Sequence, residues 1–514
     1  MFIKVFLLAL FFVVTIIIGM YFRKRMKSVN DFVLGGRAVG PWLSAFSYGA
    51  TYFSAVVFVG YAGQFGWRFG TAAVWIGLGN AFIGALMAWF VLGRRTRIMT
   101  NHLKAATMPE FFGKRFDSKA LKIGASLIVF IFLIPYTASL YNGLSRLFSM
   151  AFGVPFEYCI IAMGVLTAIY VVAGGYFATA ANDFIQGMVM LVGIIAIISA
   201  VLKDNGGFTR AIESMAQVND GASAPGAFTS FFGPDPTSLI FVIILTSLGT
   251  WGLPQMVARF YSIKSETMIT KGAIVSTGFA LVVAGGCYFI GSFGRLYSGV
   301  VPMNEQGAVI FDGIIPTILA GMSDAMIGLV LLLVFAASIS TLSSLVMSSA
   351  STLTLDFIKG NIVKEMSDKR QLLIIRALIV VFIIISSCIA IVQYKEGITF
   401  IAQLMGVSWG ALAGSFLAPF LYGLYWKRVN KIAVWVNFIF AVGLMTGNIL
   451  FRPFFPQILQ SPINAGAICM LAGLVIVPVV TWLTKKPDQA LVENCFSCYE
   501  EKVTVRASAV LTEE

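Results

Sequence analysis

The chain has 514 residues, 58% of them hydrophobic and only 11% charged, and carries a formal net charge of +13. Charged residues run near about 25% in soluble globular domains, so this composition excludes a soluble globule and describes a chain that crosses a membrane repeatedly. The positive balance falls on alternate loops, which makes it an orientation signal and argues against a nucleic-acid partner.

In chain order, apolar windows of about 20 residues recur at 2–22, 41–66, 71–92, 121–150, 156–176, 184–201, 239–260, 272–297, 326–349, 372–392, 398–426, 432–451 and 465–483. They predict an all-α polytopic membrane protein of about 13 transmembrane helices, because a helix satisfies its own backbone in lipid. The first window has too long an apolar run, and no small-residue site before Arg23, to be a cleaved signal peptide; it is expected to stay as a helix. The second and seventh windows are interrupted near their middles, at Ser47-Tyr-Gly-Ala-Thr-Tyr-Phe-Ser54 and Ser247-Leu-Gly-Thr-Trp-Gly-Leu-Pro254. Backbone opened at such depth lines a protein cavity, which in transporters is where ion and substrate meet.

Basic clusters follow the first window (Arg23, Lys24, Arg25, Lys27) and the third (Arg94, Arg95, Arg97, Lys104, Lys114, Arg115, Lys119). Lys264, Lys359, Lys364, Lys369, Arg370, Lys427, Arg428, Lys485 and Lys486 occupy later loops of the same parity. The expectation is a multi-pass protein of the plasma membrane, N-terminus outside and C-terminus in the cytoplasm. The loop 203–238 then lies outside, with a short amphipathic helix at 210–218 as a lid, and the polar tail 493–514 is expected to be disordered. The single histidine, His102, and cysteines scattered mostly through apolar windows (Cys159, Cys287, Cys388, Cys469) supply no metal centre or disulfide framework. Cys495 and Cys498 are read as a reduced pair without a role.

Two polar features sit inside this apolar frame. In the ninth window Ala337, Ser340, Thr341 and Ser344 share one helix face by their i, i+3, i+4, i+7 spacing, either to pack closely or to offer oxygens. Beside the sixth window stands Asp183, whose charge in a membrane helix costs about 2.5 kcal/mol or more unless it meets a partner or water; Asn182 or Asp183 capping that helix is the simpler alternative.

Asp31-Phe-Val-Leu-Gly-Gly-Arg37, Gly49-Ala-Thr-Tyr-Phe-Ser-Ala55, Asn182-Asp-Phe-Ile-Gln-Gly187 and Ala336-Ala-Ser-Ile-Ser-Thr-Leu-Ser-Ser344 occur in order, and together they resemble the sodium:solute symporter family over roughly 31–426. The resemblance implies a leucine-transporter-like core of five helices and their inverted copy. The repeats would be 31–202 and 239–426, joined by the outer loop 203–238. Around them lie the first helix and basic loop (1–30), two C-terminal helices (427–484) and a cytoplasmic tail (485–514).

It also implies sodium as the coupling ion, held at a first site by the carbonyls of Ala50, Phe53 and Ala337 and the hydroxyls of Ser340 and Thr341. Neutral oxygens suit a small hard cation that must bind and leave. In members that carry sialic acid, a second sodium site matches Asp183, Ser343 and Ser344, with Ser340. The solute pocket would lie alongside, among Tyr52, Ser54, Tyr136, Thr250, Trp251, Gln255 and Gln403. Aromatic walls there would hold an apolar body, and amides, hydroxyls and open helix ends a polar head. Tyr136 stands where the sialic acid carriers have an arginine, whereas Pro135-Tyr-Thr-Ala-Ser139 and Gly252-Leu-Pro-Gln255 are closer to proline and small-carboxylate carriers.

The function expected is sodium-coupled import of a small solute by alternating access, an amino acid such as proline, acting as a monomer. Alternatives are a sugar acid, a monocarboxylate or a vitamin as solute, or a non-coupled channel or membrane sensor. Intramembrane charges are too few and isolated for a polar pore, and the tail beyond Lys486 is too short for a kinase module. No acid–base pair or activated nucleophile lies in the windows, so no enzyme and no catalytic residue is expected.

Overall fold

Helices form wherever the sequence is apolar for long enough, since lipid offers no partner to a free amide or carbonyl. The computed structural model describes residues 2–23, 28–359, 361–363, 365–396 and 401–500. Lys24, Arg25, Lys27 and Lys364 of the basic loops, 398–400 of the eleventh window and 501–514 of the tail lie outside the described residues.

Each predicted window is helical over most of its described length. Among the described residues, nine helices are long and apolar enough to cross a membrane, ten when the bent pair Pro236–Trp251 and Pro254–Ser262 counts as one. Shorter apolar helices at Val5–Tyr21 and Phe156–Ile169 occupy the first and fifth windows. The fifth and sixth windows belong to one helix, Phe156–Asp204, that bends at Gly175 with φ 59° and ψ −171°. No loop was needed there, because a glycine at positive φ turns the chain without proline or polar residues.

Both interrupted windows are broken. Pro41–Tyr52 ends at Phe53, whose φ and ψ of −105° and 111° are extended, and helical structure resumes beyond Ser54 through a π-helical turn, Val56–Tyr61. Pro236–Leu248 tightens into a 3-10 turn at Gly249–Trp251, passes through the extended Leu253, and restarts with Pro254 as the first residue of Pro254–Ser262, at an angle of 42°. Proline has no amide to offer Thr250 and forces the residue before it out of helical geometry, so the break is local chemistry. The two broken segments are tied at one end by backbone pairing: the Val39 amide donates to the Ser262 carbonyl at 3.2 Å, and the Lys264 amide to the Val39 carbonyl at 3.0 Å.

Asp324–Thr352 is packed on Phe156–Asp204 and Lys119–Phe152, and Ile401–Tyr425 on Pro462–Leu483. Small residues let backbones touch, as lipid-embedded packing requires. A Cβ added at Gly291 would lie 1.9 Å from the Ala62 carbonyl oxygen, and one at Gly66 would lie 2.0 Å from the Gly291 carbonyl.

The loop 203–238 is clamped against the short turns Gly70–Ala73 and Gly294–Tyr297. Its helix is Phe208–Ala216, slightly earlier than expected. Arg295 pairs with Asp220 at 3.4 Å and lies 3.8 Å from the Phe228 ring centroid, and Arg68 pairs with Asp235 at 2.6 Å. Backbone amides of Ser223 and Ala222, with the Arg295 charge, hold the Asp220 carboxyl below the usual carboxylate range. The expected disorder of the tail is corrected as far as residue 500. Gln489–Ser497 is a helix whose Phe496 packs under Arg115, 4.9 Å from the guanidinium, while the Asn494 carbonyl meets His102 at 2.8 Å. Cys495 and Cys498 are buried and form no disulfide with each other; the Cys498 thiol donates to the Cys495 carbonyl at 3.3 Å.

Candidate ion and solute site

The helix break at Phe53 leaves the last carbonyls of Pro41–Tyr52 without amides from a following turn. Asp324–Thr352 supplies the facing group: the Thr341 hydroxyl lies 3.4 Å from the Ala50 carbonyl, 3.1 Å from that of Thr51 and 3.0 Å from that of Ala337. Three carbonyls and a hydroxyl, all uncharged, thus converge at one buried point. This donor set fits sodium, which takes several hard oxygens and leaves a neutral site more readily than a charged one. Of the residues expected for the first sodium site, Ala50, Ala337 and Thr341 are brought together. Ser340 is not: its hydroxyl donates to Asp183 at 2.6 Å. Phe53 stacks on the Tyr52 ring at 4.3 Å and shares no hydrogen bond with the cluster. Thr51 was not singled out from the sequence, because nothing local marks which carbonyl a helix break will turn inward.

Asp183 is fully buried and about two turns past the Gly175 bend, which overturns helix capping as its role. It accepts hydrogen bonds from the Ser47 and Ser340 hydroxyls. Its counter-charge is Arg259, whose Nη2 lies 3.5 Å from the carboxylate, with side-chain exposures of 2% for Arg259 and 0% for Asp183. The same Nη2 donates to the Ser344 hydroxyl at 2.5 Å and the Thr51 hydroxyl at 2.7 Å. The guanidinium also stands 5.0 Å from the Tyr176 ring centroid. Ser343 turns away and donates to the Ser340 carbonyl at 2.8 Å, and Asn182 reaches the Thr15 carbonyl at 3.4 Å. Sequence reasoning missed Arg259. Its signal was present, a lone charge at the end of an apolar window just past a proline break.

The solute residues divide into groups. Tyr52 and Tyr136 both meet Trp409, with ring centroids 6.2 and 5.9 Å apart, and the Tyr52 hydroxyl donates to the Thr246 carbonyl at 2.6 Å. The Trp409 indole N–H is buried beside the Tyr136 hydroxyl. Trp409 was not predicted, since a tryptophan in a Gly- and Ala-rich span reads as packing. Thr250 and Trp251 are committed elsewhere, donating at 3.0 Å to the Gly84 and Ile83 carbonyls respectively. The Ser54 hydroxyl accepts from the Val56 amide at 3.3 Å and so caps the restarted helix. Gln255 lines a separate cavity of about 50 Å³ with Tyr176, Arg259, Ser344 and Thr107, reaching toward the basic face. Gln403 is partly exposed at the start of Ile401–Tyr425.

Comparison with known proteins places this geometry among relatives. The profile of the sodium:solute symporter family matches residues 32–439. The chain is 30% identical over 509 residues to the sodium/proline symporter of Staphylococcus aureus (strain JH9), covering 95% of this chain and 94% of that protein. It is 28% identical over 492 residues to the osmoregulated proline transporter OpuE of Bacillus subtilis (strain 168), covering 94% and 95%. Among solved structures, the substrate-bound outward-open state of a Na+-coupled sialic acid symporter superposes with a TM-score of 0.77 at 20% identity, over 95% of this chain and 99% of that chain. A likeness at that identity concerns the fold, which is that of the leucine-transporter-like helical carriers.

Proposed function

From its membership of the sodium:solute symporter family, to which the chain belongs, we propose that it imports a small amino acid, proline, together with sodium across the plasma membrane. The observation that carries the reading is the convergence of the Thr341 hydroxyl with the carbonyls of Ala50, Thr51 and Ala337 at a helix break. Sodium there would bridge Asp324–Thr352 and the first broken segment, favouring the arrangement in which both contribute oxygens. Solute would bind best to that same arrangement, which is all that coupling requires.

The proposed solute chamber would open among Tyr52, Tyr136 and Trp409, with the Tyr136 hydroxyl and the neighbouring Trp409 N–H turning to the carboxylate and the rings to the pyrrolidine. The repeats proposed are 31–202 and 239–426, each beginning with its broken helix as inverted-repeat transporters do. The basic loops would face the cytoplasm, so solute leaves through the cavity at Gln255 and Arg259, and one chain forms a complete path.

The test is thermal stabilisation of the purified protein by solutes with and without sodium, since a ligand that binds only the folded state raises its apparent stability. Proline stabilising only in the presence of sodium is the expected result. Stabilisation by another solute class would reassign the substrate, and no response to sodium would remove the ion site.

A further inference from the structure

On the basic face, the helix Arg94–His102, the turn that follows Pro254–Ser262 and the tail enclose a cavity of about 840 Å³. Arg94, Arg95, Arg97 and Lys264 line it, against a single carboxylate, Glu266, which Arg94 already meets at 2.9 Å. The other three form no ion pair among the described residues. Arg97 donates to the Ile263 and Lys264 carbonyls at 2.7 and 3.3 Å, and Arg95 to the Leu424 carbonyl at 3.1 Å, with its guanidinium over the rings of Tyr425 and Tyr499. Neutral oxygens orient these cations without balancing them, and a cleft lined by one sign of charge draws the opposite ion.

A second recess continues the first. Thr267 on the cavity wall shares a helix face with Lys271 and Ile274, at i, i+4 and i+7 of the continuous helix Glu266–Tyr297. Lys271 and Ile274, with Pro41 and Trp42, line a hollow of about 120 Å³ whose surface is almost wholly apolar. Trp42 and Ile274 are 59% and 63% exposed, as side chains that face lipid are, and a tryptophan beside a lysine marks the interface level. The two recesses flank the backbone joint: Lys264 lines one, and Pro41 of the other stands two residues after its partner Val39.

We infer that the two recesses together hold one anionic phospholipid. Its phosphate lies by Arg97 and Lys264, Lys271 meets the glycerol end, and an acyl chain runs along Trp42 and Ile274. Basic pockets at helix ends take such headgroups, and a soluble phosphate would leave the apolar hollow unused. The bound charge relieves the repulsion between Arg97 and Lys264 and so braces the pairing of Val39 with Lys264.

The experiment is native mass spectrometry of the purified full chain titrated with dioleoyl phosphatidylglycerol or dioleoyl phosphatidylcholine. The expected result is one phosphatidylglycerol retained per chain at concentrations where phosphatidylcholine is not retained. Lys264→Gln combined with Lys271→Gln changes two exposed side chains; it should weaken phosphatidylglycerol binding about thirtyfold and leave melting in the absence of lipid unchanged. Trp42→Ala strips the apolar hollow and should weaken the same lipid about tenfold. Glycerol phosphate, which has the charge and no acyl chain, should not displace the lipid at equal concentration. Equal retention of the two lipids, or phosphatidylglycerol binding unchanged by either variant, would overturn the proposal. Displacement by equimolar glycerol phosphate would overturn it too, by making the cavity a site for a soluble anion. If the lysine variant does not fold, the wild-type lipid preference and the competition decide.

Discussion

The Thr341 hydroxyl donates to the Thr51 carbonyl at 3.1 Å, across two helices that have no other reason to share a backbone oxygen. That carbonyl is available only because Pro41–Tyr52 stops at Phe53. A continuous helix would have turned it back on its own fourth neighbour.

Thr341→Ala should raise the sodium concentration for half-maximal uptake about tenfold, the equivalent of about 1.4 kcal/mol, by deleting the only side-chain oxygen in that cluster. Thr341→Ser, which keeps the hydroxyl, should stay near wild type. Sodium titrations of proline uptake at fixed proline check both.

Asp183→Ala strands a buried guanidinium, and breaking such a pair costs about 3–5 kcal/mol. The protein should melt at a markedly lower temperature in detergent. Asp183→Asn with Arg259→Gln removes both charges together and should recover most of the loss, which a double-mutant cycle on thermal unfolding measures.

Trp409→Phe removes the indole N–H that stands beside Tyr136 in the proposed chamber. It should raise the apparent KM for proline about tenfold with little change in sodium dependence. Trp251→Phe removes a hydrogen bond to the Ile83 carbonyl and should instead lower stability by about 1–3 kcal/mol. Side-by-side uptake and melting curves separate the two tryptophans.

Gly291→Val sets a side chain where the Ala62 carbonyl already stands, 1.9 Å from the new Cβ, and should abolish recovery of monodisperse protein. Gly299→Ala, with nothing within 4 Å of its Cβ, is the matched control and should behave as wild type.

Acid should loosen the 203–238 loop only at low pH. The Asp220 carboxyl is held below its ordinary value, so its contribution is complete above the unfolded pKa of about 3.9 and is lost as pH falls through the lower folded value. Hydrogen-exchange protection of Ala222 and Ser223 should hold from pH 7 to about 5 and fall only below about 4.

Much of this was legible beforehand. Hydropathy alone locates the spans, and Pro254 and the polar run at 47–54 mark the two breaks, because each breaks the helix by local means. The face of Ala337, Thr341 and Ser344 follows from helical spacing. What the sequence could not convey was partnership across the bundle. Ser340 and Ser344 look equivalent as ion ligands, yet one turns to Asp183 and the other to Arg259, and that choice depends on how four elements meet. Trp251 looks like a pocket wall beside a break, but its indole is spoken for by a neighbouring backbone.

The pairing of Val39 with Ser262 and Lys264 is made wholly of backbone atoms. It joins the entrance of one broken segment to the exit of the other, so the two are held together at one end whatever side chains stand at 39 and 263. Such a joint is blind to sequence: substitutions there pass unnoticed unless they bring a proline, and its importance will not register as preference for any residue type. Proline at 39 or at 264, which deletes one amide each, is the change through which the tie between the two half-helices becomes visible.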